Sequence, residues 1–270
     1  EPITSRRNPL VGRLRALHQG KGRREQNRWL LEGTHLLQEV LRLDLRPDLL
    51  LATASWIERN RSLLQACPPE TRLVTVAEAV LEAVATTDHP DGVVLTLTPP
   101  PLPPTGQARF VLVLDRLQDP GNLGTLLRTA LAAGVEEVWL EGGADPSQPK
   151  VLRASAGAAL ALPCRRFGDR GALEEGLLQA RSTGLQLVAT VVPEGTDGPG
   201  PKPYWALDWQ RPTALLLGNE GAGLDPALQR LATERVTIPH DAGVESLNVA
   251  IAAAPLLLER WRQRSSSSGA

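Results

Sequence analysis

Apolar positions along this chain follow two alternating rhythms. Short unbroken runs such as Phe110–Leu114 have the length and Val content of buried strands. Longer stretches repeat apolar residues three and four apart, as with Leu123, Leu126, Leu127, Ala130 and Leu131, and that is the period of a helix. From residue 107 onward the pattern predicts strand Phe110–Leu114, helix Asn122–Ala133 stopped by Gly134, strand Glu137–Leu140, a helix near 149–160 and strand Cys164–Phe167. Helix 171–182 stopped by Gly184 follows, then strand Leu185–Val192, strand Ala214–Leu217, a helix from Asp225, strand Arg235–Ile238 and a long helix over 246–263. Strands separated by helices imply a parallel sheet with crossover connections. Upstream, a basic helix, a helix at 34–43 (Leu36, Leu37, Val40, Leu41), strand Leu49–Ala52, a helix at 77–84 and strand Gly92–Leu97 predict a smaller α/β unit. Between the two, residues 99–106 read PPPLPPTG, a run that cannot continue a helix or sit in a central strand. The expected organisation is therefore a domain over 1–98, a linker over 99–106, a parallel-sheet domain over 107–264 and a low-complexity, disordered tail over 265–270.

Composition narrows the class. At 270 residues with 42% hydrophobic and 22% charged side chains, the chain has ordinary globular composition. No run approaches ~18 apolar residues, so no membrane span is expected, and no apolar run follows the charges at the N-terminus, so no signal peptide is expected either. Cys67 and Cys164 lie far apart, and neither they nor His18, His35, His89 and His240 show metal-ligand spacing or a Ser-His-Asp arrangement. A cytoplasmic protein with reduced thiols and no metal is the expectation. The net charge of −1 does not speak for or against nucleic acid, but its distribution does. Residues 1–30 hold Arg6, Arg7, Arg13, Arg15, Lys21, Arg23, Arg24 and Arg28 against Glu1 and Glu25. That segment reads either as a phosphate-binding surface or as a solvated helix face.

Three stretches carry candidate chemistry, each running from an apolar strand through a turn into a helix, where an α/β protein holds its ligand. In Leu114–Arg128, Asn122 suits an N-cap and Arg128 lies nearly two turns further on; alone, that arginine reads as a surface or salt-bridged side chain. In Leu217–Leu224 (LGNEGAGL) three glycines allow close backbone approach to a ligand, yet their spacing fits neither the dinucleotide fingerprint nor the P-loop. In Ile238–Ala250, Ser246 reads as an N-cap and Asn248 as an early polar helix residue.

In this order the three stretches resemble the motifs of SpoU/TrmH-type RNA ribose 2′-O-methyltransferases, a family of the SPOUT class. Glu32-Gly33 before a Leu-rich helix and residues 88–94 (DHPDGVV) also resemble the N-terminal substrate-binding domain attached to many of these enzymes, which is like small ribosomal RNA-binding proteins. The resemblance implies an α/β fold whose C-terminal parallel-sheet domain has a deep trefoil knot, S-adenosylmethionine as cofactor, a homodimer, and RNA, most often ribosomal, as substrate. It implies catalytic roles for Asn122, Arg128, Glu220, Ser246 and Asn248, with Arg128 the principal one. It implies cofactor contacts at Thr190, Leu217, Gly218, Asn219, Glu220, Gly221, Ile238, Ser246, Leu247 and Asn248, while the charge of the basic N-terminal segment makes Arg6, Arg7, Arg13, Lys21, Arg23, Arg24 and Arg28 the expected RNA contacts. The last helix, with Leu256, Leu257, Leu258 and Trp261, is expected to supply part of a dimer interface or to pack within one subunit. Residues 150–157 (KVLRASAG) suit tight helix packing, with Lys150 and Arg153 as further RNA candidates. Trp205 and Trp209 read as core anchors or as a cover able to stack a base. Alternatives are a transfer-RNA substrate, a non-catalytic RNA-binding or assembly protein, which a methyl-transfer assay separates, and a nucleotide-dependent oxidoreductase, which a comparison of NAD with S-adenosylmethionine binding separates.

Overall fold

The computed structural model describes residues 1–192, 200–241, 243–244 and 246–267. In chain order the elements are α1 (Pro9–Ala16), α2 (Gly20–Gln26), β1 (Trp29–Glu32), α3 (Thr34–Arg42), β2 (Pro47–Thr53), α4 (Ala54–Arg59), α5 (Arg61–Gln65), β3 (Arg72–Val76), α6 (Glu78–Val84) and β4 (Val93–Leu97). There follow β5 (Phe110–Asp115), α7 (Pro120–Ala132), β6 (Glu137–Glu141), α8 (Pro149–Ala154), α9 (Ala158–Ala161), β7 (Cys164–Phe167), α10 (Arg170–Ser182) and β8 (Gln186–Thr190). The chain ends with β9 (Lys202–Pro203), a 3-10 turn at Tyr204–Ala206, β10 (Thr213–Leu217), α11 (Pro226–Leu231), β11 (Glu234–Thr237) and α12 (Val249–Ser267). No helix among the described residues is long and apolar enough to cross a membrane. Of the tail at 265–270, α12 takes in residues up to 267, and 268–270 lie outside the described residues.

Two compact units result: residues 1–101 with 145–161, and residues 102–144 with 162–270. The first is a four-stranded sheet in the order β1-β4-β2-β3, with β4 antiparallel to both neighbours and β3 parallel to β2. Leu10 and Leu14 of α1 and Leu81 and Val84 of α6 share one core with Leu30, Leu49, Leu51 and Val94 of the sheet. The segment 145–161 joins this unit through α8, which packs on β1. Two buried charges fix it. Arg23, only 5% exposed, pairs with Asp145 at 2.6 Å, and its guanidinium also donates to the carbonyls of Leu17 and His18 and to Ser147 Oγ. Buried Glu32 accepts from Arg153 Nη1 at 2.9 Å and from the Thr86 amide and hydroxyl. The single helix expected near 149–160 is in fact two, because Ala156 and Gly157 take φ of 49° and 88° and break the ladder. A Cβ at Gly157 would lie 2.8 Å from Glu39 Cγ, so the chain turns there against α3.

The second unit is a seven-stranded parallel sheet in the order β7-β6-β5-β10-β8-β11-β9, as the alternating pattern predicts. The strands β5, β10 and β8 are buried almost throughout, which is why they read as continuous apolar runs. Leu173 and Leu177 of α10 and Leu228 of α11 close one face over Leu187 and Leu216. Helices α7 and α12 pack against each other. Three helices start on an aspartate whose carboxylate accepts an early amide: Asp119 from Asn122, Asp169 from Ala172 and Asp225 from Ala227. Trp209 is fully buried, with its indole N–H on the Tyr204 carbonyl at 2.7 Å, so it anchors the core; Trp205 is 52% exposed and edge-on to Tyr204.

Candidate functional site

The connection order of the parallel sheet reverses between β5 and β10, which lie side by side with Leu114 opposite Leu217. A crevice for a ligand opens at such a switch point, outside the carboxyl ends of the strands. The turn leaving β10 is closed on itself there. Asn219 and Gly223 exchange two backbone hydrogen bonds at 3.0 Å. Asn219 Oδ1 accepts from the amides of Gly221 and Ala222, and its Nδ2 donates to the Arg116 carbonyl at 2.8 Å. Gly218 permits this closure, since a Cβ at that position would lie 2.1 Å from the backbone of Gly223 and Leu224.

From this turn Glu220 reaches across to the segment after β5. Its carboxylate accepts from the amides of Gln118 (3.1 Å) and Asp119 (3.0 Å) and from Asn122 Nδ2 (3.4 Å). Asn122 is not the N-cap of α7, as the sequence suggests; Asp119 is, because Pro120 suits the first helical position and starts the helix two residues earlier. The Asn122 side chain is thereby free to bridge. Its Oδ1 accepts from Asn248 Nδ2 at 3.0 Å. Asn248 Oδ1 in turn accepts from the amides of Ala250 and Ile251, so Asn248, and not Ser246, caps α12. The chain Glu220–Asn122–Asn248 is thus oriented from end to end. A carboxylate fixes one amide as donor, and the helix N-terminus fixes the other amide oxygen as acceptor.

Partial burial pushes the Glu220 carboxyl up, but the amides of Asp119 and Gln118, its own backbone and Asn122 outweigh this and hold it below the ordinary 4.5. It is a carboxylate at neutral pH, an acceptor and not an acid. A lowered folded value means its contribution to stability is complete above the unfolded range near 4.5 and is lost as pH falls through the folded value. Glu220→Gln is therefore expected to lower the melting temperature at neutral pH, by an amount that shrinks as both proteins are taken below pH 4.5. Melting curves across that range check this, and a constant difference would show that the charge has no part in it.

Thr190, Leu217 and Ile238 lie at the carboxyl ends of adjacent strands, with Ala189 paired to Leu216 and Thr190 to Val236. Thr190 Oγ1 is buried and has no partner among the described residues. Ser246 and Leu247 precede α12, while Ala242 and Glu245 of the same motif lie outside the described residues. His240 is exposed and its Nδ1 is 2.7 Å from the Ile238 carbonyl. Arg128 stands apart. It is exposed on α7, enters no ion pair among the described residues, and lies about 9 Å along the helix axis from Asn122.

On the first unit Arg6, Arg7, Arg13, Lys21 and Arg24 are exposed, and Arg28 pairs with Asp48 at 2.8 Å. Arg23 is a correction: it is buried, and four of its five guanidinium N–H groups are donated within the unit, to Ser147, Leu17, His18 and Asp145, so it is held as a structural charge and not as an open phosphate contact. Arg153, bound to Glu32, is likewise structural, whereas Lys150 is exposed. In α12 the fully buried Leu256 and Leu257 pack inward, while Ile251, Leu258 and Trp261 are exposed along one stripe.

Residues 109–258 match the SpoU rRNA Methylase family, and residues 8–95 match the MRM3-like substrate binding domain. An uncharacterized tRNA/rRNA methyltransferase of Synechocystis is 46% identical over 98% of this chain and 95% of its own length. A 23S rRNA (guanosine(2553)-2′-O)-methyltransferase of Bacillus subtilis is 32% identical over 94% of this chain and 97% of its own. Among solved structures, an AdoMet-bound rRNA methyltransferase from Sinorhizobium meliloti superposes with a TM-score of 0.80 at 33% identity, covering 97% of this chain and 98% of that one.

Proposed function

The chain belongs to the SpoU rRNA Methylase family, and on that premise we propose that it transfers the methyl group of S-adenosylmethionine to a ribose 2′-hydroxyl of ribosomal RNA. The observation that carries the reading is the Glu220–Asn122–Asn248 chain, which joins all three motifs beyond the carboxyl ends of the neighbouring strands β5 and β10. Beside it, the unpartnered Thr190 hydroxyl and the strand ends at Leu217 and Ile238 fit a cofactor rich in hydrogen-bonding groups. Leu217–Gly221, Ile238 and Ser246–Asn248 would hold it. Bound there, it would supply an already activated methyl group, so the protein's part is to orient the ribose and favour ionisation of its hydroxyl, whose proton passes to solvent. Asn122 and Asn248 present fixed donor and acceptor positions to the ribose, the first held by the Glu220 carboxylate and the second by the N-terminal amides of α12. Arg128 holds the RNA phosphate and favours the ionised hydroxyl; a guanidinium does not itself lose a proton in a protein. Ribosomal RNA is favoured because the B. subtilis relative, whose name gives it a 23S rRNA substrate, aligns through both units. Mapping 2′-O-methylation in total RNA with and without this protein tests the reading, and a site confined to transfer RNA would replace it.

The exposed stripe Ile251, Leu258 and Trp261 on α12 supports a homodimer. For RNA capture, the five exposed cations Arg6, Arg7, Arg13, Lys21 and Arg24 form the surface. They are better tested by substitution than by removing residues 1–98, because β1 is the packing partner of α8. Replacing Arg7, Arg13, Lys21 and Arg24 with Gln is expected to flatten the salt dependence of RNA binding by ~0.7–0.9 in log–log slope per lost phosphate contact. An unchanged slope would place the RNA elsewhere.

A further inference from the structure

Three carboxylates and two arginines meet where β5 and β6 end, next to the turn at 218–225; Asp115 and Arg116 lie in the first stretch, but neither is among its expected site residues. Asp115, 1% exposed, accepts from Arg170 Nη2 at 2.5 Å and from Arg116 Nε at 3.2 Å, and Glu141 lies 3.1 Å from Arg170 Nη2. The two arginines do different work. Arg170 holds the strand ends together and stays 3.7 Å from Asp225. Arg116 instead grips the turn at both of its ends. Its carbonyl accepts from Asn219 Nδ2 at 2.8 Å where the turn begins, and its Nη2 donates to Asp225 Oδ2 at 2.9 Å where the turn ends. The second oxygen of Asp115 takes the Asp225 amide at 2.9 Å, closing the ring.

Arg116 is itself held in an unusual pose. Its φ is 50°, in the left-handed region that residues other than glycine seldom enter. Its amide donates to the Glu141 carbonyl at 2.9 Å, so the β5–β6 ladder ends on it. Gly142 clears the space for its side chain, since a Cβ there would lie 2.9 Å from Arg116 Cγ. One residue thus takes its position from two strands of the rigid sheet and passes it to both ends of the glycine-rich turn.

We propose that Arg116 is a positioning residue for the cofactor, holding the 218–225 turn in its binding shape without touching the reacting atoms. This rests on the reading that Leu217–Gly221 holds S-adenosylmethionine. The pair with Asp225 is partly open to solvent, so the expected effect is modest and falls on affinity and not on chemistry. Arg116→Ala should weaken binding of S-adenosylhomocysteine to the full-length chain by about fivefold. Its single-turnover methylation rate, with RNA and S-adenosylmethionine both saturating, should stay within about twofold of the wild type. Asp225→Asn keeps an oxygen for the Ala227 amide but loses the charge that faces Arg116, and it should reproduce the loss. The double variant should be no weaker than either single one, because both remove the same link. Arg170→Ala serves as the structural comparison, with a lowered melting temperature as its main effect. Wild-type affinity in Arg116→Ala, multiplicative losses in the double variant, or a slowed saturated rate would overturn the proposal. Should Arg116→Ala fail to fold, Asp225→Asn decides alone, for by weakened binding and against by wild-type binding. Failure of the wild-type chain to bind S-adenosylhomocysteine, even with RNA present, would remove the cofactor reading and this proposal with it.

Discussion

Arg128→Ala is expected to bring methyl transfer close to zero while melting temperature and cofactor affinity stay at wild-type values. The buried face of α7 is made by Leu123, Leu126, Leu127 and Ala130, and Arg128 is not on it. Among the described residues its side chain enters no ion pair, so truncation opens no cavity and strands no buried carboxylate. An arginine that the fold does not use is available to a ligand, and the charge it offers suits a phosphate. A loss of tenfold or more corresponds to at least ~1.4 kcal/mol of transition-state stabilisation. Arg128→Lys should rescue little, because an ammonium cannot copy the planar two-pronged donor. The deciding measurement is single-turnover methylation with RNA and cofactor saturating, which isolates the chemical step. If the alanine variant reacts at the wild-type rate under those conditions, Arg128 is a surface side chain and the mechanism proposed above is wrong.

The sequence shows what depends on local pattern. Strands β5, β8 and β10 are legible because burial on both faces makes them unbroken apolar runs, and α7, α10 and α11 because their apolar faces and Gly or Asp boundaries agree. Strands β1 and β3 are not legible: one has four residues, and the other lies at a sheet edge with Arg72 and Leu73 exposed. Nor can pattern decide between neighbouring caps. Ser246 and Asn248 both suit the start of α12, and the choice falls to Asn248 through a bond to Asn122, 126 residues away in the chain. The attachment of 145–161 to the first unit is equally hidden, because Asp145 and Arg23 look like ordinary surface charges until burial pairs them. The expected site residues are visible through family resemblance, whereas Arg116, which sits in the first stretch with no expected role, shows its part only in three dimensions.

Gly218→Ala and Gly221→Ala are expected to fail in different ways, and the contrast locates the cofactor. At Gly218 an added methyl would sit 2.1 Å from Gly223 C and Leu224 N, which are backbone atoms that cannot swing aside. The turn must open, breaking the Asn219–Gly223 pairing and drawing Glu220 away from Gln118 and Asp119. Overpacking of this kind costs ~1–3 kcal/mol, and with ~2–4 °C per kcal/mol for a domain of this size the melting point should fall by several degrees. Cofactor affinity should fall with it. At Gly221 the nearest atom to an added methyl is Asn219 Oδ1 at 3.7 Å, an ordinary contact, so the fold should accept alanine with its melting temperature unchanged. If the cofactor lies against the backbone of this turn, that methyl fills space the ligand needs, and affinity for S-adenosylhomocysteine should drop by about tenfold, or ~1.4 kcal/mol. Calorimetric titration beside melting curves separates the outcomes. Wild-type affinity in Gly221→Ala would mean that the ligand does not approach the turn there. Wild-type affinity in both variants would remove the turn from the cofactor site altogether.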